Sequence, residues 1–145
     1  MSERNDVDTE TLHQIGEVAD AVGLSLRTIR HYEEVGLVEP SERSSGGFRL
    51  YTDADIERLR LVRHMKPLEF TLDEMRQLLE VRDALETADP SAETDLRGRL
   101  AMFAAAAEER CERLRAALHQ AEEFAGLLRS EAQPPRQPGA RRARS

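Results

Sequence analysis

Ten small or apolar side chains, Leu96, Leu100, Phe103, Ala107, Cys111, Leu114, Leu118, Ala121, Ala125 and Leu128, follow one another at steps of three or four residues. That spacing keeps returning to one side of an α-helix, so it predicts a single helix over 94–129, about 54 Å long at roughly 1.5 Å per residue. The seam is longer than a small head can cover. A partner helix must cover it, and a second copy of the same chain is the simplest source. In a chain of 145 residues this leaves room for one modest core besides the rod, and 39% apolar with 34% charged residues suits a helix-rich fold.

Several classes drop out early. The longest uninterrupted apolar run, Leu100 to Ala107, is far shorter than the roughly 20 residues a membrane crossing needs, so no membrane partner is expected. The opening MSERNDVDTE is acidic and polar where a secretory leader is basic and then apolar, which predicts a cytoplasmic protein. The one cysteine, Cys111, cannot close a disulfide within the chain or build a zinc site alone. Net charge is −7, so any nucleic-acid contact must come from a local face.

Along the chain, residues 1–11 lack periodicity and are expected to be disordered. Ile15, Val18, Ala19 and Val22 have helical spacing, and Gly23 interrupts them as a turn. Ser25 stands as an N-cap before a second stripe of Leu26, Ile29 and Val35, with Gly36 as the C-cap. Two short helices joined by a glycine turn form the helix-turn-helix pattern. Leu37-Val38 and Phe48 to Tyr51 read as two β-runs around Pro40, Ser44, Ser45, Gly46 and Gly47, a hairpin or wing. Thr52 opens a third helix that Pro67 should end, and Thr71 with Glu74 forms a capping box opening a fourth. The predicted fold is therefore mainly α: a winged helix-turn-helix head over 12–86, with four short helices and a two-stranded wing, then a linker over 87–93. The rod follows over 94–129, and a disordered basic tail over 130–145 includes Arg136, Arg141, Arg142 and Arg144.

The second helix carries Arg27, Thr28, Arg30, His31 and Tyr32 in its opening turns, with Glu33 and Glu34 at its far end. In a helix-turn-helix that opening enters the major groove, where Arg pairs with guanine edges and Thr or Tyr reaches phosphates or thymine methyls. The wing adds Arg43, Arg49 and Tyr51; the third helix and its exit add Arg58, Arg63, His64 and Lys66 as backbone clamps. Residues 26–66 hold eight Lys or Arg against seven Asp or Glu, so placement rather than average charge carries the reading.

The run IGEVADAVGLSLRTIRHYEEVGLVEP, followed by GGFRLYTDADIERLRLVRHMKPLEFTLDEMRQLL, resembles the DNA-binding domain of MerR-family bacterial transcriptional regulators. The helix after it resembles their dimerisation helix, so the likeness spans residues 12–129. The resemblance implies a homodimer joined by an antiparallel coiled coil. It binds double-stranded promoter DNA at a dyad-symmetric operator and distorts the spacer so that RNA polymerase engages both promoter elements. By position, Arg27, Thr28, Arg30 and Tyr32 match the family's recognition helix, Arg49 and Tyr51 its wing, and Arg63 with Lys66 its basic second wing. The family usually has glycine where Glu69 stands, at a bend suited to left-handed backbone. Sensor members carry a paired-cysteine metal loop or a ligand-binding domain. Neither is visible in this sequence, and no metal or cofactor is expected.

Cys111 has two readings. Its nearest C-terminal companion, His119, lies about 12 Å along the helix, too far to share one ion. As a seam residue it is a small buried hydrophobe. Because residues 94–129 have their midpoint beside it, it could also face its own copy across a dyad as a redox-sensitive thiol. No nucleophile elbow or P-loop occurs, so an enzyme is not expected. The alternative function is a helical protein-interaction adaptor that uses the long helix without specific DNA binding.

Overall fold

The computed structural model describes residues 11–40 and 42–136. In chain order they form β1 (His13–Gln14), α1 (Ile15–Val22), α2 (Leu26–Glu34), β2 (Glu42–Arg43), β3 (Arg49–Tyr51), α3 (Asp53–Met65), a 3-10 turn (Lys66–Leu68), α4 (Leu72–Glu86) and α5 (Pro90–Ala132). The chain divides into two compact units, one ending at Ala105 and one beginning at Ala106, with α5 running through the division.

The first unit is the winged helix-turn-helix head. Its core gathers Val18 and Val22 from α1, Ile29 and Tyr32 from α2, Leu37, Val38 and Tyr51, then Ile56, Leu59, Val62 and Met65 from α3. Phe70 and the α4 residues Met75, Leu78, Leu79 and Val81 complete it. Apart from Leu37, Val38, Tyr51 and Phe70, these lie on the helices at helical spacing, so burial of one face per helix is the main force holding the head together.

Local signals set the helix ends. Thr52 and Asp55 form a capping box, each side chain accepting from the other's backbone N–H at 3.2 and 2.9 Å, and Thr71 with Glu74 forms another at 3.0 and 2.9 Å. Gln14 and Glu17 make a third at the start of α1. α1 closes on Gly23 in left-handed backbone, φ 72, with the Gly23 N–H donating to Ala19 O at 2.9 Å. An ideal Cβ at Gly23 would stand 3.4 Å from the Arg63 guanidinium, so a side chain there meets both a strained φ and α3.

Three features differ from the reading of the sequence. Leu37 and Val38 form no strand: they are buried irregular backbone just after α2. Two arginines from later helices hold this exit, Arg76 Nη2 donating to Val35 O at 2.6 Å and Arg58 Nη2 to Leu37 O at 3.4 Å. The wing partner of β3 is β2, with Arg43 opposite Arg49, and β1 adds a third antiparallel strand, with His13 opposite Tyr51. An isolated two-stranded ribbon is marginal in water, and the third strand ties the wing to the start of α1.

The third difference is the approach to the long helix. Pro90 does not sit inside a break but opens α5, where its missing N–H costs nothing. Asp89 precedes it and caps the first turn, accepting from the Ala92 N–H at 2.9 Å and from Ser91 Oγ at 2.8 Å. The Ala92 bond first, and the Ser91 hydroxyl second, hold the Asp89 carboxyl below the usual carboxylate range. The connection thus shrinks to residues 87–89, and α5 runs 43 residues, about 64 Å. It ends at Ala132, inside the stretch expected to be disordered. Residues 1–10 and the tail residues Arg141, Arg142 and Arg144 lie outside the described residues.

Within α5, Leu96, Leu100, Phe103, Ala107 and Cys111 are half-buried, whereas Leu114, Leu118, Ala121, Ala125 and Leu128 are exposed. Phe103 also has a second role: its ring stacks at a tilt on Phe70, centroids 6.4 Å apart, so it belongs to the head as well as to the seam. The second unit holds the remaining α5 turns, where Leu118 is 58% and Phe124 61% exposed.

Candidate nucleic-acid interface

The outward face of α2 is built by its cap. Ser25 Oγ accepts the Thr28 N–H at 3.1 Å and donates to Thr28 Oγ1 at 2.9 Å, which satisfies an end donor and starts the helix at Leu26. With Ile29 and Tyr32 turned into the core, helical geometry turns Arg27, Arg30 and His31 outward, and all three are exposed. Two guanidiniums near the positive end of a helix suit phosphates and base edges alike.

The structure sorts the expected contact residues into two groups. Among the basic residues of 26–66, Arg49, Arg58 and Arg60 are already engaged, with Glu33, Asp83 and Glu57 respectively. Arg27, Arg30, Arg63 and Lys66 are exposed and meet no acidic side chain among the described residues, nor does His64. Arg43 donates to the Gly47 carbonyl, at 3.3 Å, across the wing turn. The basic side chains with no acidic partner among the described residues therefore fall in three places: the opening of α2, the wing, and the end of α3 with its 3-10 turn.

Tyr32 and Tyr51 go inward instead. Their exposures are 3% and 0%, so neither ring forms part of the outer face. Burial raises the pKa of both phenols; for Tyr51, the hydrogen bond to Glu33 raises it further. Thr28 is half-buried, its hydroxyl held by Ser25.

Glu33 was not among the residues singled out from the sequence, yet it is the hub of the wing. Its carboxylate accepts from Tyr51 Oη at 2.6 Å and from Arg49 Nε, joining the end of α2 to β3. The Glu33 side chain is only 12% exposed, and Arg49, hydrogen-bonded to it and in its field, is held still more firmly protonated. The partners lie 16 and 18 residues apart, and no local pattern marks such a pairing. Phe48 was also passed over as a candidate. It is 67% exposed in the turn before β3, where its N–H donates to Ser44 Oγ at 3.1 Å and the ring lies over Gly46.

Among the described residues no group of three or more His, Cys, Asp or Glu could hold a metal ion, and no helix is long and apolar enough to cross a membrane. Cys111 is a free, half-buried thiol.

Two family descriptions match the chain: "MerR HTH family regulatory protein" over residues 14–81 and "MerR, DNA binding" over residues 56–124. The chain is 42% identical over 71 residues to the HTH-type transcriptional regulator ZntR of Escherichia coli K12, a stretch covering 49% of this chain and 50% of that one. It is 45% identical over 69 residues to a probable heavy metal-dependent transcriptional regulator of Haemophilus influenzae, covering 48% and 54%. The matched stretch thus spans about half the length of these curated relatives. Among solved structures, HiNmlR, a MerR family regulator lacking the sensor domain, bound to promoter DNA, has a TM-score of 0.60 at 21% identity over 83% of both chains, a likeness of fold. With the two family matches running end over end from residue 14 to residue 124, the chain belongs to the MerR family of helix-turn-helix regulatory proteins.

Proposed function

We propose that the protein is a DNA-binding regulator of transcription that works as a homodimer on a dyad-symmetric promoter operator. The observation that carries this reading is the sorting of cations. Arg49, Arg58 and Arg60 are neutralised by acids, while Arg27, Arg30, Arg63 and Lys66 are exposed and pair with no acid among the described residues. Unpaired cations near one another repel, so leaving them free costs stability unless a polyanion supplies the missing charge.

In this reading Arg27 and Arg30 read base edges from α2, with Thr28 and His31 beside them. Arg43, Arg63 and Lys66 hold phosphates, and Arg49, Tyr32 and Tyr51 position the wing against α2. The exposed half of the seam, Leu114, Leu118, Ala121, Ala125 and Leu128, packs on a second copy, and Leu96, Leu100, Phe103, Ala107 and Cys111 extend the same stripe. An antiparallel arrangement holds two heads apart at consecutive grooves, and distortion of the DNA between them acts on RNA polymerase indirectly. The match of residues 56–124 to the family described as "MerR, DNA binding" supports the DNA partner.

Footprinting on the protein's own promoter tests this. A protected symmetric site with a hypersensitive centre is expected, and Arg27→Ala or Arg30→Ala should each weaken operator binding by about 1 to 3 kcal/mol with dimerisation intact. Unchanged duplex binding in both variants would return the long helix to the adaptor reading.

A further inference from the structure

The end of α3 holds an open groove of about 680 Å³ lined by Leu24, Arg63, His64, Lys66, Pro67 and Glu69. Two strong cations and a histidine line it, and none of the three meets an acid among the described residues. Glu69 is the one carboxylate in the lining. It also stands in left-handed backbone, φ 62 and ψ 33, the only positive φ at a non-glycine among the described residues.

That backbone is required by the bend. The Glu69 N–H closes the 3-10 turn onto Lys66 O at 2.8 Å, and Phe70 N–H reaches Met65 O at 3.4 Å. Glycine would adopt it without a Cβ penalty. A strained residue kept where glycine would serve points to a use for its side chain. What this side chain brings is a negative charge on the rim of a cationic groove. It forms no ion pair there among the described residues, so it does not neutralise any one cation by contact.

We infer that Glu69 is an attenuator of phosphate binding, set at the groove formed by Arg63, His64 and Lys66. The inference rests on the DNA-binding reading above and assigns this groove a backbone phosphate of duplex DNA. The cations draw the phosphate in, and the Glu69 carboxylate repels it, so the sequence-independent part of DNA affinity is held down. Glu69 is here a tuning residue rather than a contact.

The test uses the full chain and a mixed-sequence DNA duplex, with affinity measured by fluorescence anisotropy across a salt series. Glu69→Gln removes the charge and keeps the backbone requirement; Glu69→Gly removes both; Glu80→Gln, an exposed acid of α4 outside the groove lining, matches the change in net charge. Glu69→Gln is expected to bind about threefold tighter at low salt, from one like charge some 7 Å from a phosphate in water. The gain should shrink as salt rises. Glu69→Gly should show the same gain with a higher Tm, and Glu80→Gln a clearly smaller one. Equal tightening by Glu69→Gln and Glu80→Gln, or a Glu69→Gly variant that is stabilised without tighter binding, would overturn the proposal alone. A wild-type chain that binds no duplex would overturn the DNA-binding reading, and this one with it.

Discussion

At the level of single residues, Glu33, Glu69 and Gly23 each join a local backbone demand to a distant partner. Glu33→Gln should keep the fold but loosen the wing, because Arg49 and Tyr51 donate to different oxygens of the carboxylate and an amide keeps only one acceptor. A stability loss of about 1 kcal/mol by urea unfolding is expected, the usual net worth of one such bond. The same hub gives a pH dependence. The Tyr51 phenol has a folded pKa above its unfolded value near 10, so its contribution is complete below about pH 10 and is lost as pH climbs beyond it. Tyr51→Phe should remove that alkaline loss, read as Tm against pH. Glu69→Gly should raise stability by about 1 kcal/mol through relief of left-handed strain. Gly23→Ala should do the reverse, since the new methyl meets the Arg63 guanidinium at an unfavourable φ.

Among the elements, α4 and α5 show how much a helix start depends on one oxygen. Thr71 Oγ1 accepts the Glu74 N–H, and Thr71→Ala should cost about 1 kcal/mol of head stability in thermal melts. The start of α5 depends on the Asp89 carboxylate, whose folded pKa lies below its unfolded value. Its support is therefore present above the unfolded value, near pH 4, and is lost as pH falls through the folded one. Amide protection at Ala92, measured against the intrinsic exchange rate at each pH, should fall in acid, and Asp89→Asn should flatten that response. The wing teaches a different lesson. Its turn and its second strand, Arg49 to Tyr51, were legible as a β-run after Gly46-Gly47, but the two-residue strands His13–Gln14 and Glu42–Arg43 are too short to show any alternation.

For the whole molecule, the question is what covers the seam. In a single chain Leu114, Leu118 and Leu128 are 47%, 58% and 48% exposed, within a stripe that continues back to Leu96. In the homodimer proposed above, this is the surface that a second copy covers. Leu114→Glu with Leu118→Glu should give a monomer by sedimentation equilibrium, with the helical signal of the head retained and operator affinity sharply reduced. A double variant that stays dimeric would remove the seam from the interface. Arg63→Ala or Lys66→Ala should leave the dimer unchanged and lower the salt slope of DNA binding by about 1, the mark of one lost phosphate contact.

The amino-acid order by itself determined the helix-turn-helix, the caps at Ser25, Thr52 and Thr71 and the existence of the rod, because these depend on spacing and on bonds between residues three or four apart; the start of the rod at Pro90 and its end at Ala132 did not show in that spacing. Thr71 with Glu74, Ser25 with Thr28, and the ten-residue stripe were all readable in that way. Only the tertiary structure decided which basic residues remain free. Arg49 and Arg63 look alike in the sequence; folding pairs the first with Glu33, while the second forms no ion pair among the described residues. It likewise turned Tyr32 and Tyr51 inward and carried Arg58 and Arg76 to the exit of α2. Pairings across 16 to 41 residues have no local periodicity to announce them, and they follow from which faces must be buried together.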